Sequence, residues 1–155
     1  MSTTIERRSI IPAPVEAVWS TLGEFGAISA WAPNVDHSCL LSSQTEGPGT
    51  VRRIQASRAT IVETVEVWAP GETLSYRITG LPSVIRRLTN TWRLEPEGDA
   101  TSVVLTTSID TGPRPPQRLI ARAAGRRMAS ASEQMLSGLA DHLATTNRPP
   151  TEGPR

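Results

Sequence analysis

Apolar and polar positions change their rhythm three times along the chain, and each change marks an element. Residues 3–11 alternate loosely and stop at Pro12-Ala13-Pro14, which predicts a strand whose burial Arg7 and Arg8 limit. Behind Pro14, the apolar residues Val15, Val18, Trp19 and Leu22 fall at i, i+3, i+4 and i+7, with Glu16 near the positive helix end. That spacing predicts a helix, which Gly23 ends. A second short helix over residues 24–30 delivers the chain to Trp31-Ala32-Pro33-Asn34, where Pro33 forces an extended or turning backbone.

From there to residue 110 the pattern is one of consecutive strands and turns. Residues 35–41 form one strand, and Gly47-Pro48-Gly49 turns the chain into another over 50–55. Residues 60–68 are rich in β-branched side chains and close at Ala69-Pro70-Gly71. Leu74, Tyr76 and Ile78 alternate with Ser75, Arg77 and Thr79, and the run ends at Gly80-Leu81-Pro82. A strand over 89–95 leads to the turn Pro96-Glu97-Gly98-Asp99, and alternation resumes through Val103, Leu105, Thr107 and Ile109. The last period is again helical. After Gly112-Pro113-Arg114-Pro115-Pro116, an apolar stripe of Leu119, Ile120, Ala123, Ala124, Met128, Ala131, Met135, Leu136, Leu139 and Leu143 predicts one long helix to about residue 145, covering one face of the sheet. Residues 146–155 carry three Pro and one Gly without an apolar anchor, and are expected to be a disordered tail behind a single domain over 1–145.

Composition narrows the chemistry. The chain has 155 residues, with 16 Lys+Arg against 15 Asp+Glu, and every basic residue is Arg. Without Lys there is no Schiff-base nucleophile, no P-loop lysine and no Ser-Lys dyad. One Cys excludes an intramolecular disulfide, a CxxC pair and zinc sites built on two or more thiolates. His37 and His142 stand far apart and no metal-ligand spacing occurs, so neither metal nor cofactor is expected. With no signal-peptide core and no long apolar run, the expected compartment is the cytoplasm. Balanced charge gives no overall drive toward nucleic acid, and none is expected as a partner.

The order of one strand, two short helices, six strands and one long helix is an α+β arrangement in which an antiparallel sheet curves around a helix. The segments Ile10-Ile11-Pro12-Ala13-Pro14-Val15-Glu16-Ala17-Val18-Trp19, Trp31-Ala32-Pro33-Asn34-Val35, Gly49-Thr50-Val51-Arg52-Arg53-Ile54, Glu63-Thr64-Val65-Glu66 and Leu74-Ser75-Tyr76-Arg77-Ile78 occur in that order. On these residues the chain resembles the SRPBCC (START/Bet v 1-like, helix-grip) superfamily, and within it the polyketide cyclase/dehydrase-like branch, over about residues 3–145. The resemblance implies a helix-grip fold with a mostly apolar cavity between the curved sheet and the C-terminal helix. It implies binding of a small hydrophobic molecule, polyketide-, lipid- or aromatic-like, and in some members cyclisation or dehydration. Fold alone does not decide between these.

Glu63 shares its strand face with Ile61, Val65 and Val67, where a carboxylate needs a partner and burial would raise its pKa toward the range of a general acid or base. The structural alternatives are an ion pair with an Arg on a neighbouring strand, such as Arg53 or Arg58, or a strand whose faces are the other way round. Tyr76, the only phenol, lies on the face of Leu74 and Ile78 and could orient a carbonyl or hydroxyl. Glu63 and Tyr76 are therefore the candidate catalytic pair. The candidate ligand-lining residues are Trp31, Asn34, Val65, Leu74, Ile78, Asn90, Trp92, Met128 and Met135. Trp19 is expected in the core and Trp68 in a structural role beside its turn. His37 and Cys39 share a strand face at a separation too long for a nucleophilic pair, so Cys39 is expected to pack as a small apolar residue. Arg114, Arg118, Arg122, Arg126 and Arg127 form a basic ridge on the last helix: a solvated face, a contact with a second copy in a homodimer, or a surface that draws an anionic head group or membrane during lipid carriage.

Overall fold

The computed structural model describes residues 2–112 and 115–146, and of residues 115–118, 120 and 121 the backbone alone. Strand β1 spans Ser2–Ile11, helix α1 Val15–Gly23, a 3-10 helix Phe25–Ala30, and strands β2 to β7 span His37–Leu40, Val51–Ala56, Ala59–Ala69, Thr73–Thr79, Arg87–Glu97 and Ala100–Asp110. Helix α2 spans Pro115–Thr146. The expected tail lies, beyond Thr146, outside the described residues, as do Pro113 and Arg114.

All seven strands form one antiparallel sheet in the order β1-β7-β6-β5-β4-β3-β2. Consecutive hairpins build β2 to β7, and β1 then closes onto β7. The alternation read in the sequence becomes the two faces of the sheet. Inner positions such as Ile54, Leu74, Leu88, Leu94, Val103 and Leu105 are buried, and with Phe25, Ile28, Met135, Leu136, Leu139 and Leu143 they form the core. The arrangement is the expected helix grip.

Several expectations are corrected. The second short helix, expected over residues 24–30, is present as a 3-10 helix, and Ala27 inside it departs from helical geometry at φ −101°. The alternation of β4 breaks at a bulge, because Val65 opposes Tyr76 whereas Val67 opposes Ser75, leaving Glu66 without a cross-strand partner. One extra residue reverses the facing of everything after it. Val67, expected inside with Glu63, is 45 % exposed, and Trp68 turns inward opposite Leu74. There it meets Trp19 edge to face at 5.3 Å, and both indoles are half-buried. The apolar stripe of α2 is buried over only part of its length: Met135, Leu136, Leu139 and Leu143 are buried, but Leu119 is 69 % exposed and Ala123 also faces solvent. The backbone of α2 comes nearest to β1 and β7, and its buried Met135, Leu136, Leu139 and Leu143 join the core on the inner face of the sheet.

Candidate functional site

The strand registers lay the inner face out as rows. Arg52, Glu63, Ile78, Leu88 and Ile109 are successive cross-strand partners, and Val65, Tyr76, Asn90 and Thr107 form the next row. Leu74, Trp92 and Leu105 form a third. Residues directly opposite in such rows have Cβ atoms about 5 Å apart, so polar side chains within the apolar face meet one another.

Glu63 is 3 % exposed, and its Oε2 accepts a hydrogen bond from Arg52 Nε at 2.5 Å. Arg52 Nη1 donates to the Phe25 carbonyl at 2.8 Å. The guanidinium carbon lies 3.7 Å from the Phe25 ring centroid and 4.7 Å from that of Tyr76. Arg52 therefore ties the 3-10 helix to the sheet by a charge, a hydrogen bond and two aromatic faces. The expected partners of Glu63 were Arg53 and Arg58. Arg53 occupies the opposite face of β3, and Arg58 sits in the β3–β4 turn, so the parity that carries Glu63 inward selects Arg52. Burial raises the Glu63 pKa above the usual carboxylate value, and the neighbouring Arg52 charge only partly offsets this.

Tyr76 is fully buried. Its hydroxyl accepts from Trp92 Nε1 at 3.1 Å and, at the limit of a hydrogen bond, from Asn90 Nδ2 at 3.5 Å. Asn90 Oδ1 in turn accepts from Thr107 Oγ1 at 2.7 Å. Two N–H groups thus face the phenol oxygen, and the phenol's own proton is committed to no acceptor among the described residues. Burial raises the Tyr76 pKa, Glu63 adds to the rise, and Arg52 and the two donors oppose it. No hydrogen bond joins Glu63 to Tyr76 among the described residues. The pair expected to act together is instead joined through Arg52, which binds the carboxylate and covers the phenol ring.

Of the expected lining residues, Val65, Leu74, Ile78, Asn90, Trp92 and Met135 are buried on or against the inner face, and Met128 is half-buried against the same core. Trp31 follows the 3-10 helix and meets Trp92 edge to face at 5.8 Å. Trp31 Nε1 and Asn34 Oδ1 are buried without a hydrogen-bond partner, each a cost of about 1–3 kcal/mol in a finished fold. Trp31 and His142 border two clefts together, one of about 620 Å³ along α2 and one of about 180 Å³ beside α1.

Arg52, Phe25 and Thr107 were missed. Arg52 had a usable signal, because it shares the parity of Ile54 and a hairpin turn at Ser57-Arg58 pairs position 52 with 63. Cys39 is exposed on the outer face of β2 beside His37, not packed as expected. Arg122, Arg126 and Arg127 are exposed on α2, while Arg114 and the Arg118 side chain lie outside the described residues. Among the described residues no group of three His, Cys, Asp or Glu could hold a metal ion, and no helix is long and apolar enough to cross a membrane.

No curated protein matches the chain. Solved structures do. The Zhui aromatase/cyclase of Streptomyces sp. R1128 is 18 % identical with a TM-score of 0.77, covering 99 % of this chain and 100 % of its own. A protein of Thermobifida fusca is 24 % identical with a TM-score of 0.78, over 94 % and 95 % of the two chains. A START superfamily protein of Mycobacterium smegmatis is 13 % identical with a TM-score of 0.72, over 93 % and 99 %. At these identities the likeness is one of fold. The family described as polyketide cyclase/dehydrase and lipid transport matches residues 2–144. The chain belongs to that family, and it shares the curved sheet and gripping helix of these solved structures.

Proposed function

We propose that the protein binds a small hydrophobic molecule, polyketide-, lipid- or aromatic-like, between the inner face of the sheet and α2. The observation that carries this reading is the Tyr76 hydroxyl: a phenol proton with no acceptor among the described residues, on an oxygen fixed by Trp92 and Asn90, in a core that includes Leu74, Ile78 and Met135. An apolar interior with one oriented donor suits a molecule that is largely apolar and carries a hydrogen-bond acceptor. Native mass spectrometry of protein purified without denaturation tests it. A retained organic mass, released on unfolding, is the expected result. The bare chain mass, with no uptake of aromatic or acyl probes, would count against it.

A second reading is a cofactor-independent cyclase or dehydratase, supported by the family description and by the Tyr76 proton. Tyr76 would hydrogen-bond a carbonyl oxygen while Glu63 takes a proton from the adjacent carbon, and the apolar walls would keep water out. The ion pair with Arg52 weighs against Glu63 as a ready base, which is why binding is placed first. Unchanged turnover of an identified substrate by Glu63→Gln and Tyr76→Phe would remove this reading.

A further inference from the structure

The basic ridge of α2 takes no part in the interior site, and the fold sets it beside a free strand edge. Strand β1 stands at one end of the sheet, paired with β7 alone, so its other edge has no strand beside it among the described residues. A groove of about 520 Å³ lies between this strand and α2, lined by the five successive residues 3–7 of β1. Successive strand residues point their side chains to opposite faces, so a groove that touches all five runs along the edge itself.

The wall supplied by α2 is Arg122, Gly125, Arg126 and Ala129, spaced i, i+3, i+4 and i+7 on one face of the helix. Gly125 lets the helix approach closely, since a Cβ there would already touch Ile5 Cδ1 at 3.5 Å. Arg122 and Arg126 are exposed, and neither makes an ion pair among the described residues. Arg7 is engaged: its Nε donates to Glu133 at 3.0 Å and its Nη1 to the Glu6 carbonyl at 2.9 Å. Glu6 is the one carboxylate of the lining, and it alternates with Thr4 and Arg8 onto the exposed face of β1, away from the face that turns Ile5 toward α2. The two uncommitted guanidinium groups therefore set the charge of the groove.

We infer that this groove docks an extended acidic segment of a partner protein, added as a further strand to the free edge of β1, with carboxylates two residues apart meeting Arg122 and Arg126. Four helical residues advance about 6 Å and two strand residues about 7 Å, so alternate side chains of such a segment keep step with the two arginines. Strand β1 supplies the backbone ladder, and each guanidinium supplies paired N–H donors to a carboxylate. A second copy of this chain fits less well, because two β1 edges side by side would crowd the arginines of both. The site lies outside the apolar interior and is independent of what that interior holds.

Fluorescence anisotropy on the full chain tests this with a labelled eight-residue peptide of alternating Glu and Val, a Gln and Val counterpart, and two Glu and Val peptides N-methylated on one or the other alternate set of amides. The first is expected to bind and the Gln peptide to bind about tenfold more weakly. Arg122→Gln and Arg126→Gln, both exposed changes that keep the helix, are each expected to weaken binding about threefold to fivefold. Arg127→Gln removes the same charge from an exposed neighbour outside the groove and is expected to change binding by less than about twofold. One N-methylated peptide is expected to lose binding and the other to keep it, because a strand offers only alternate amides to its neighbour. Equal binding of the two would mean a charged patch without strand addition, and an Arg127→Gln effect as large as that of Arg126→Gln would mean attraction by overall charge; either overturns the inference. Absence of peptide binding overturns it too, and sedimentation velocity and vesicles of phosphatidylserine with phosphatidylcholine would then show whether the edge serves a second copy or a membrane instead.

Discussion

Arg52 and Glu63 are direct cross-strand partners on β3 and β4, and their side chains, 3 % and 5 % exposed, meet at 2.5 Å inside the sheet's concave face. A buried ion pair of this kind is costly to break and adds little net stability, because both charges lose their water. Its value lies in placement. Arg52 also holds the Phe25 carbonyl and covers Tyr76, so the pair fixes the 3-10 helix relative to the sheet.

That asymmetry gives a double-mutant prediction. Glu63→Ala leaves a buried guanidinium without its carboxylate and is expected to cost about 3–5 kcal/mol in urea unfolding. Combining Arg52→Met with Glu63→Leu removes both charges and is expected to recover most of that loss. Additive losses in the double variant would contradict the account.

Tyr76 is the only tyrosine, so the near-ultraviolet absorbance of tyrosinate reports on it alone. Its pKa is raised from an ordinary value near 10 in the folded state. The native protein then holds the phenol proton at pH values where the unfolded chain has released it. The stability this contributes is fully present below the unfolded pKa and is lost as pH rises through the folded one. The expected outcome of an alkaline titration is therefore a late, cooperative appearance of tyrosinate that coincides with loss of tertiary circular dichroism. A simple titration near pH 10 with the fold intact would refute it.

The fold was legible because its periods are local. Each strand of the meander announces its facing by alternation, and Leu74, Tyr76 and Ile78 face inward as the sequence implies. The bulge at Glu66 was not legible, since Val65-Glu66-Val67 continues to alternate apolar and polar, and only the pairing with β5 shows the slip. How far along α2 the stripe is buried was not legible for a related reason: a 3.6-residue stripe shows which face is apolar, but the neighbours that bury it lie far away in sequence. Glu63 was found by its chemistry on an apolar face. Residue type does not separate Arg52 from Arg53 and Arg58 as the partner of Glu63; only the β3–β4 register does.

The bulge itself can be tested by a matched pair. Val65, 2 % exposed, packs in the core, whereas Val67 is 45 % exposed. Val65→Ala is expected to cost about 2–3 kcal/mol and Val67→Ala under about 0.5 kcal/mol, measured by denaturant midpoint. Equal losses would mean that the strand keeps its parity through Glu66.

Two glycines of α2 provide a sharper contrast, because the gain in helix propensity from Gly to Ala is common to both and only the surroundings differ. A Cβ on Gly125 would meet Ile5 Cδ1 at 3.5 Å, an ordinary contact, so Gly125→Ala is expected to stabilise by about 0.5–1 kcal/mol. At Gly138 the obstacle is backbone: the Trp31 carbonyl oxygen at 2.3 Å cannot rotate away as a side-chain end could. The helix must retreat from the Trp31–Pro33 segment, and the contacts of Leu139 and Met135 loosen with it. Gly138→Ala is accordingly expected to lose about 1–3 kcal/mol despite its better propensity. The Trp31–Trp92 contact would open as well, visible as a changed near-ultraviolet circular dichroism signal that Gly125→Ala leaves intact. If Gly138→Ala proved as benign as Gly125→Ala, α2 would not be seated against the Trp31–Pro33 segment.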